Sequence, residues 1–212
     1  KGQGSWLTDV DGNEYIDYPL SLGAITLGHD YPEVTKAVLD QLAKGTVFSL
    51  ATTLEVELAE KLVSIMPAVE MVRYGKNGSD VTSAAIRLAR AYTKRDIIAC
   101  GGYHGWQDWY IGSTSRNLGV PEAVQALTKS FAYGNIDSLE AIFKENIGRV
   151  AAIILEPVDA NGPDDVFLKQ VRILADKYGA LLIFDEVLSG FRHNLGGVDS
   201  YLDVKPDLIC FG

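Results

Sequence analysis

The segment ALLIFDEVLSGFR, residues 180–192, decides the fold class of this chain. Its first five residues, Ala180 to Phe184, are all apolar, which is typical of a strand buried on both faces of a parallel sheet. Asp185 and Glu186 follow directly, and open α/β sheets bind ligands at the carboxyl ends of their strands. This segment alone suits a ligand-binding carboxylate and a solvated turn equally well, so the role of the two carboxylates has to be inferred from the rest of the chain.

The composition indicates a globular protein and argues against nucleic-acid binding. The chain has 212 residues, 47% hydrophobic and 22% charged, which is enough for one substantial core. Its formal net charge of -9 is opposite in sign to the basic face of nucleic-acid-binding proteins. No signal peptide and no apolar stretch of roughly 20 residues is evident, so we expect a cytoplasmic protein without a membrane partner. Cys100 and Cys210 lie in apolar runs and are expected to be buried thiols.

From residue 69 onward, strand and helix patterns alternate, which predicts an α/β fold with a largely parallel sheet covered by helices. Before them, Trp6–Val10 and Glu14–Tyr18 flank an Asp-Gly turn and predict a hairpin. We therefore divide the chain into an N-terminal hairpin and helix segment, residues 1–45, and a large domain, residues 46–212. The predicted strands of the large domain are Met71–Tyr74, Ile97–Cys100, Lys129–Ala132, Val150–Leu155, Ala180–Phe184 and Leu208–Phe211. The predicted helices are Val81–Thr93, Ser138–Asn146 and Asp164–Tyr178.

Glycine-rich or polar turns follow several of these strands. Gly78 and Ser79 open a helix, where free backbone N–H groups and a hydroxyl suit a phosphate, although an ordinary capped turn is the alternative. Tyr103 lies in the turn GGYHG, where it could stack on a flat cofactor. Glu156 and Asn161 follow the next predicted buried strand, and their alternative is a simple turn with a capping Asn. The carboxyl ends of parallel strands meet at one edge, so one shared site explains these turns better than separate coincidences do.

Two common kinds of site find no support in the sequence. The glycines match neither a Walker phosphate loop nor the G-x-G-x-x-G of dinucleotide-binding folds. The three histidines, His29, His104 and His193, have no metal-ligand spacing, so we expect no metal site. We expect His104 to support the site by hydrogen bonding.

The chain as a whole resembles the class III pyridoxal-phosphate-dependent aminotransferases of fold type I. It is most similar to the glutamate-1-semialdehyde 2,1-aminomutase branch of that class. The stretches that carry the resemblance occur in the family order and are DVDGNEYIDY (9–18), LGHDYPEV (27–34), TTLEVELAEKL (52–62), NGSDVTSAAIRLARAYT (77–93), YHG (103–105), GVP (119–121), AAIILEPV (151–158), ADKYGALLIFDEVLSGFR (175–192) and PDLICFG (206–212).

The resemblance implies pyridoxal 5'-phosphate (PLP) as the cofactor and assigns its binding residues. They are Gly78, Ser79, Tyr103, Glu156, Asn161, Asp185 and Val187. Gly78 and Ser79 match the turn that holds the phosphate, and Tyr103 and Val187 match the groups on the two ring faces. Asp185 matches the catalytic partner of the pyridine nitrogen, and a buried carboxylate there would favour the protonated ring. Glu156 and Asn161 match positions near the ring hydroxyl.

The resemblance also implies a homodimeric transaminase that moves an amino group between an amino donor and a small aldehyde or keto acceptor by a ping-pong mechanism. The aminomutase reaction and a non-catalytic binding or dimerisation module are the alternatives. The loop Ser21-Leu22-Gly23-Ala24 lacks the tryptophan of the aminomutase branch, and loops 113–118 and 159–163 are shorter than in that branch, which favours a transaminase.

In the family, a Schiff-base lysine follows a pair resembling Phe211-Gly212, where this sequence ends. We therefore expect an inactive fragment of a parent in which a lysine follows Gly212.

Overall fold

The computed structural model describes residues 1–159 and 162–212, which form two compact units, Lys1–Leu58 and Ala59–Gly212. The first unit holds an antiparallel sheet of β1 (Gly2–Gln3), β2 (Trp6–Thr8) and β3 (Glu14–Ile16), followed by helix α1 (Pro32–Leu42). Strands β2 and β3 pair Trp6 with Ile16, so the predicted hairpin is confirmed. The domain boundary predicted at residues 45–46 stays a prediction.

Helix α2 (Thr53–Ile65) crosses the division between the units, and the second unit continues as an α/β fold. Its helices are α3 (Gly78–Thr93), α4 (Asp108–Ile111), α5 (Glu122–Gln125), α6 (Ile136–Glu145), α7 (Asp165–Tyr178) and α8 (Asp199–Leu202). Its strands are β4 (Ile97–Gly101), β5 (Thr128–Ser130), β6 (Val150–Leu155), β7 (Val158–Asp159), β8 (Gly162–Pro163), β9 (Leu181–Glu186) and β10 (Leu208–Phe211). Strands β7 and β8 form a small antiparallel pair, and the other five make one parallel sheet in the order β10-β9-β6-β4-β5.

The sheet is buried on both faces because its central strands are apolar throughout. Every residue of β4 and β6 is buried. On one face, α6 and α7 pack residues such as Leu139 and Leu168 onto the strands. On the other, α3 contributes Ala85, Ile86 and Ala89 to a second cluster. This arrangement confirms the parallel α/β sheet that the alternating pattern predicts.

The strand order places a topological switch point between β4 and β6. The chain passes from β4 to its neighbour β5 on one side and then crosses to β6 on the other side. Loops that leave β4 and β6 therefore turn away from each other, and α/β folds bind ligands at such a switch point, outside the carboxyl ends of the strands. The turns that the sequence singles out after β4 and β6 lie at this edge.

Three predicted elements differ from the structure in informative ways. The strand predicted at Met71–Tyr74 is wrong: within the described ranges this segment pairs with no strand, and Met71 is 89% exposed. Helix α3 begins at Gly78, three residues earlier than predicted, because Asn77 caps it. Strand β9 extends through Glu186, so Asp185 lies inside the strand and pairs in register with Cys210.

Both cysteines are buried free thiols, as expected. Burial raises the pKa of Cys100 to about 11 and that of Cys210 to about 12, which makes both thiols unreactive near neutral pH. Of the helices in the described ranges, none combines the length and the apolar character needed to traverse a lipid bilayer.

Candidate active site

The N-terminus of α3 presents free backbone N–H groups at the edge of the sheet. The Asn77 side chain accepts the N–H of Asp80 at 3.1 Å and so caps the first turn. The N–H groups of Gly78 and Ser79 have no hydrogen-bond partner within the described part of the chain. Unpaired N–H groups at the positive end of a helix dipole suit an anion, so this end of the helix can bind a phosphate group.

The turn after β4 lies directly against this helix. Gly105 has a φ of +100°, and a Cβ on it would stand 2.2 Å from the Ser79 Oγ, so only glycine fits there. The backbone N–H of Trp106 donates to the same Oγ at 3.4 Å. Thr82, one turn further along α3, donates its hydroxyl to the His104 carbonyl at 3.1 Å. The helix N-terminus and the turn are therefore held as one assembly.

Asp185 and His104 form a buried pair at the carboxyl ends of β9 and β4. His104 Nδ1 and Asp185 Oδ2 are 2.7 Å apart, and the two side chains are 0% and 5% exposed. The other ring nitrogen, Nε2, lies 3.0 Å from the Gly101 carbonyl, which can only accept, so Nε2 carries a hydrogen. Nδ1 therefore faces the carboxylate, and His104 fixes the orientation of Asp185. The second carboxylate oxygen of Asp185 accepts the Val187 N–H at 3.1 Å.

The His104 ring is held in place by aromatic neighbours. It stacks on Trp109 at a centroid distance of 6.1 Å and meets the edge of Tyr110 at 5.4 Å. Tyr110 also contacts Tyr103 edge-on at 5.6 Å. Tyr103 itself is 63% exposed, so one face of its ring is open to a flat ligand.

Glu156 contacts the turn after β4 from the side of β6. Its Oε2 accepts the Tyr103 N–H at 3.0 Å. Burial is the main cause that raises the pKa of Glu156, nearby Asp185 raises it further, and the Tyr103 hydrogen bond and His104 lower it. A Cβ on Gly102, whose φ is +101°, would stand 2.6 Å from Oε2. The carboxyl ends of β4, β6 and β9 thus bring Glu156, His104 and Asp185 into one electrostatic cluster.

Val187 lies between the helix N-terminus and the end of β10. A Cβ on Gly78 would stand 2.8 Å from Val187 Cγ1, and a Cβ on Gly212 would stand 2.7 Å from the same atom. The two glycines therefore let the start of α3 and the end of β10 approach this side chain. Of the predicted site residues, the structure gathers Gly78, Ser79, Tyr103, Glu156, Asp185 and Val187, and Asn161 lies outside the described residues.

Sequence reasoning missed the contacts that hold these residues together. His104 was expected to support the site, but nothing in the sequence identified Asp185 as its partner. The glycines of GGYHG were the available signal, because two of them adopt a positive φ and leave room for Glu156 and Ser79. Thr82 gave no sequence signal, since a threonine inside a helix is ordinary.

Comparisons with known proteins agree on one family. Residues 1–212 match the family described as aminotransferase class-III. A glutamate-1-semialdehyde 2,1-aminomutase of Roseiflexus castenholzii is 45% identical over 100% of this chain and 52% of its own length. The chain therefore spans about half the length of the curated relatives it matches.

Two solved structures share the fold closely. An omega-transaminase from Sphaerobacter thermophilus is 32% identical, with a TM-score of 0.90 over 99% of this chain and 52% of that one. A taurine:2-oxoglutarate aminotransferase from Bifidobacterium kashiwanohense, solved in complex with PLP and glutamate, is 28% identical, with a TM-score of 0.88 over 99% of this chain and 55% of that one.

Proposed function

The chain belongs to the class III aminotransferase family, and on that premise we propose that the protein in its native length is a PLP-dependent transaminase. It would transfer an amino group between an amino donor and a small aldehyde or keto acceptor by a ping-pong mechanism. The observation that carries this proposal is the buried Asp185–His104 pair beside an open helix N-terminus. PLP is the cofactor of this family. Its phosphate needs an anion site such as the helix N-terminus, and its ring nitrogen needs a carboxylate such as Asp185.

The described residues fit the chemical groups of PLP. The free N–H groups of Gly78 and Ser79 suit its phosphate. The carboxylate of Asp185 is 4% exposed and suits a cationic ring nitrogen. The open face of Tyr103 and the side chain of Val187 offer apolar surfaces for a flat ring. The roles assigned to Glu156 and Asn161 near the ring hydroxyl remain part of the proposal.

When bound, PLP supplies an aldehyde for amino-group exchange and a ring that withdraws electrons from the substrate carbon. Asp185 would hold a proton on the ring nitrogen, and an opposite charge in a buried place favours that protonated state. His104 would keep the carboxylate turned towards the ring. The first turn of α3 would anchor the phosphate, so that the reacting end stays in place while substrates exchange.

The register of β10 indicates where the cofactor-binding lysine of the family would lie in this protein. Cys210 lies opposite Asp185, and the next strand residue, Phe211, lies opposite Glu186. A residue that follows Gly212 would therefore leave the sheet beside Val187. We propose that this residue is a lysine in the native protein. Any other residue there would favour the non-catalytic binding or dimerisation module.

The substitution Asp185→Asn tests the proposal in the native-length protein. We expect the native protein to bind PLP and to exchange amino groups, and the variant to fold but to lose about a hundredfold or more in rate, as when a preorganised charge is removed. The proposal would be contradicted if the native protein did not bind PLP, or if Asp185→Asn exchanged amino groups at the native rate. Glu145→Gln, which removes an exposed carboxylate on α6, is the matched control.

Glutamate-1-semialdehyde 2,1-aminomutase activity is the second candidate. A curated relative with that name is 45% identical to this chain, whereas the solved transaminases reach 32%. The shorter loops and the missing tryptophan favour the transaminase. Turnover of glutamate 1-semialdehyde without an external amino acceptor would establish the aminomutase, and amino exchange without that turnover would exclude it.

We also propose that the native protein is a cytoplasmic homodimer. The family resemblance supports the homodimer, and two reduced, buried thiols suit a reducing compartment. Light scattering of the purified protein tests the dimer, and a monomeric active enzyme would contradict it. Fractionation of source cells tests the location.

A further inference from the structure

A second pair of buried carboxyl groups lies behind the candidate site. Glu186 ends β9 and is 1% exposed, and Asp199 begins α8 and is 6% exposed. Between them lies Gly197. A Cβ on Gly197 would stand 2.5 Å from Asp199 Oδ1 and 2.8 Å from Glu186 Oε1, so both oxygens face the same small space.

Glu186 has hydrogen-bond donors, whereas one oxygen of Asp199 has none among the described residues. Both oxygens of Glu186 accept the Val198 N–H at 2.9 Å, and the Ser189 hydroxyl is 3.4 Å from Oε2. Asp199 Oδ1 is buried and has no partner among the described residues. A buried acceptor without a donor is costly, and two like charges facing one buried space add to that cost. One proton on the pair would remove both penalties.

We propose that Glu186 and Asp199 retain one proton between them at mildly acidic pH, where exposed carboxyl groups have lost theirs, and that this protonated acid pair closes the loop 187–198 onto the end of β9. The proton supplies the donor that Asp199 Oδ1 lacks, directly or through one water molecule. The loop starts at Val187, beside Gly78, so the acid pair positions one wall of the candidate site. This inference does not depend on the proposed transaminase activity.

The surroundings of the acid pair favour the retained proton. Burial is the main cause that raises the pKa of Glu186, to about 7, and the charges of Asp199 and Asp185 add to it. Burial also raises the pKa of Asp199, against the opposing effect of nearby backbone amides and of Lys205. From the neighbouring strand β10, Phe211 pairs with Glu186 and brings no charge. Among the described residues that shift these two pKa values, Lys205 is the only cation.

The retained proton makes stability depend on pH with a definite sign. Below about pH 4.5 the folded and unfolded forms both hold the proton, so the contribution is fully present. Between 4.5 and about 7 the unfolded form releases it and the folded form keeps it, so stability falls as pH rises. Above 7 the effect is constant.

The test compares urea unfolding of the native-length protein, Glu186→Gln and Glu145→Gln between pH 5 and 8. In the native protein the folding equilibrium constant should fall on the order of a hundredfold from pH 5 to pH 8. A glutamine amide donates to Asp199 without titrating, so this fall should be absent in Glu186→Gln. Glu145→Gln removes an exposed carboxylate and should follow the native protein. A Glu186→Gln protein with the native pH dependence would overturn the proposal.

Asp199→Asn keeps the test decisive if Glu186→Gln does not fold. The Asn amide can donate to a charged Glu186 and the Asp199 charge is gone, so the pH dependence should become smaller, and the variant should gain stability relative to the native protein above pH 7. Infrared spectra of the native protein at pH 6 should show a protonated carboxyl band that is weaker in Asp199→Asn. Native pH dependence and an unchanged band in Asp199→Asn would refute the acid pair.

Discussion

At the scale of single residues, the candidate site depends on the contact between His104 and Asp185. Both side chains are buried, and removing one partner of such a pair leaves an uncompensated charge. We predict that His104→Leu lowers the free energy of unfolding by about 3–5 kcal/mol. His104→Asn should cost less, because its amide can still donate to the Asp185 carboxylate. Urea unfolding of both variants and of the native protein measures these losses. If His104→Leu were as stable as the native protein, the contact between His104 and Asp185 would contribute nothing to stability.

A second residue-scale prediction concerns the close approach of Gly105 to Ser79. In Gly105→Ala, the added methyl group would collide with the Ser79 Oγ and push apart the turn and the helix N-terminus. We expect PLP to bind about tenfold or more weakly, which corresponds to about 1.4 kcal/mol.

Gly148→Ala is the matched control for Gly105→Ala. Gly148 also has a positive φ, +69°, but no other group in the described part of the chain lies within 4 Å of its added Cβ. Both variants should lose roughly 1 kcal/mol of stability through backbone strain. Only Gly105→Ala should weaken binding in an absorbance titration with PLP, and equal binding by the two variants would show that the close contact is not needed.

At this same scale, the sequence predicted residue types better than residue partners. Asp185 stands out because it ends an apolar run, and Tyr103 stands out because glycines surround it. The partner of Asp185 is 81 residues away in the chain, and no local pattern can connect two residues across a sheet. The pairing of Glu186 with Asp199 was not predicted either, because no local pattern gives the path of the loop between them.

At the scale of elements, the N-terminus of α3 offers a prediction with an internal control. Asn77 caps α3 through the Asp80 N–H, and Asn135 caps α6 through the Ser138 N–H. Replacing either asparagine with alanine removes one cap, which typically costs about 1 kcal/mol. We expect similar losses of stability in the two variants, but weaker PLP binding only in Asn77→Ala, because its cap orders the turn that faces the phosphate. Equal loss of PLP affinity in both variants would contradict the assignment of the phosphate to α3.

Elements with continuous apolar runs were predictable, and elements that need a neighbour were not. Val150–Leu155 and Leu208–Phe211 match their predicted bounds because each is an uninterrupted apolar strand. Met71–Tyr74 has strand-like residues, but a strand forms only when another strand accepts its hydrogen bonds, and in the described ranges none does. Pairing is a property of the tertiary structure, so residue preference alone misplaced this segment.

At the scale of the whole molecule, the site follows from strand order more than from any motif. The switch point between β4 and β6 exists because the chain reverses direction across the sheet after β5. The alternating pattern predicted a parallel sheet and the turns at its edge, but it could not give the order of the strands. The family resemblance placed the turns in one cofactor site but gave no strand order either.

The largest-scale prediction concerns the exposed apolar surface of α1. This helix has no buried residue, and Val34, Val38 and Leu42, four residues apart, form an apolar stripe along it, each about half exposed. Proteins seldom leave such surface in contact with water, so we expect the native-length protein to cover it. Residues 1–212 expressed alone should therefore bind the dye anilinonaphthalene sulfonate and form aggregates larger than a dimer, whereas the native-length protein should do neither.

Paired substitutions on α1 separate the apolar stripe from the rest of the helix. Val38→Lys with Leu42→Lys should reduce dye binding by residues 1–212, because charges replace the stripe, and should destabilise the native-length protein, because the same charges would then be buried. Lys36→Gln with Asp40→Asn removes an exposed ion pair from the same helix and should change neither property. If the lysine variant left the native-length protein fully stable, the stripe would face solvent there too, and another surface would have to account for dye binding by the shorter chain.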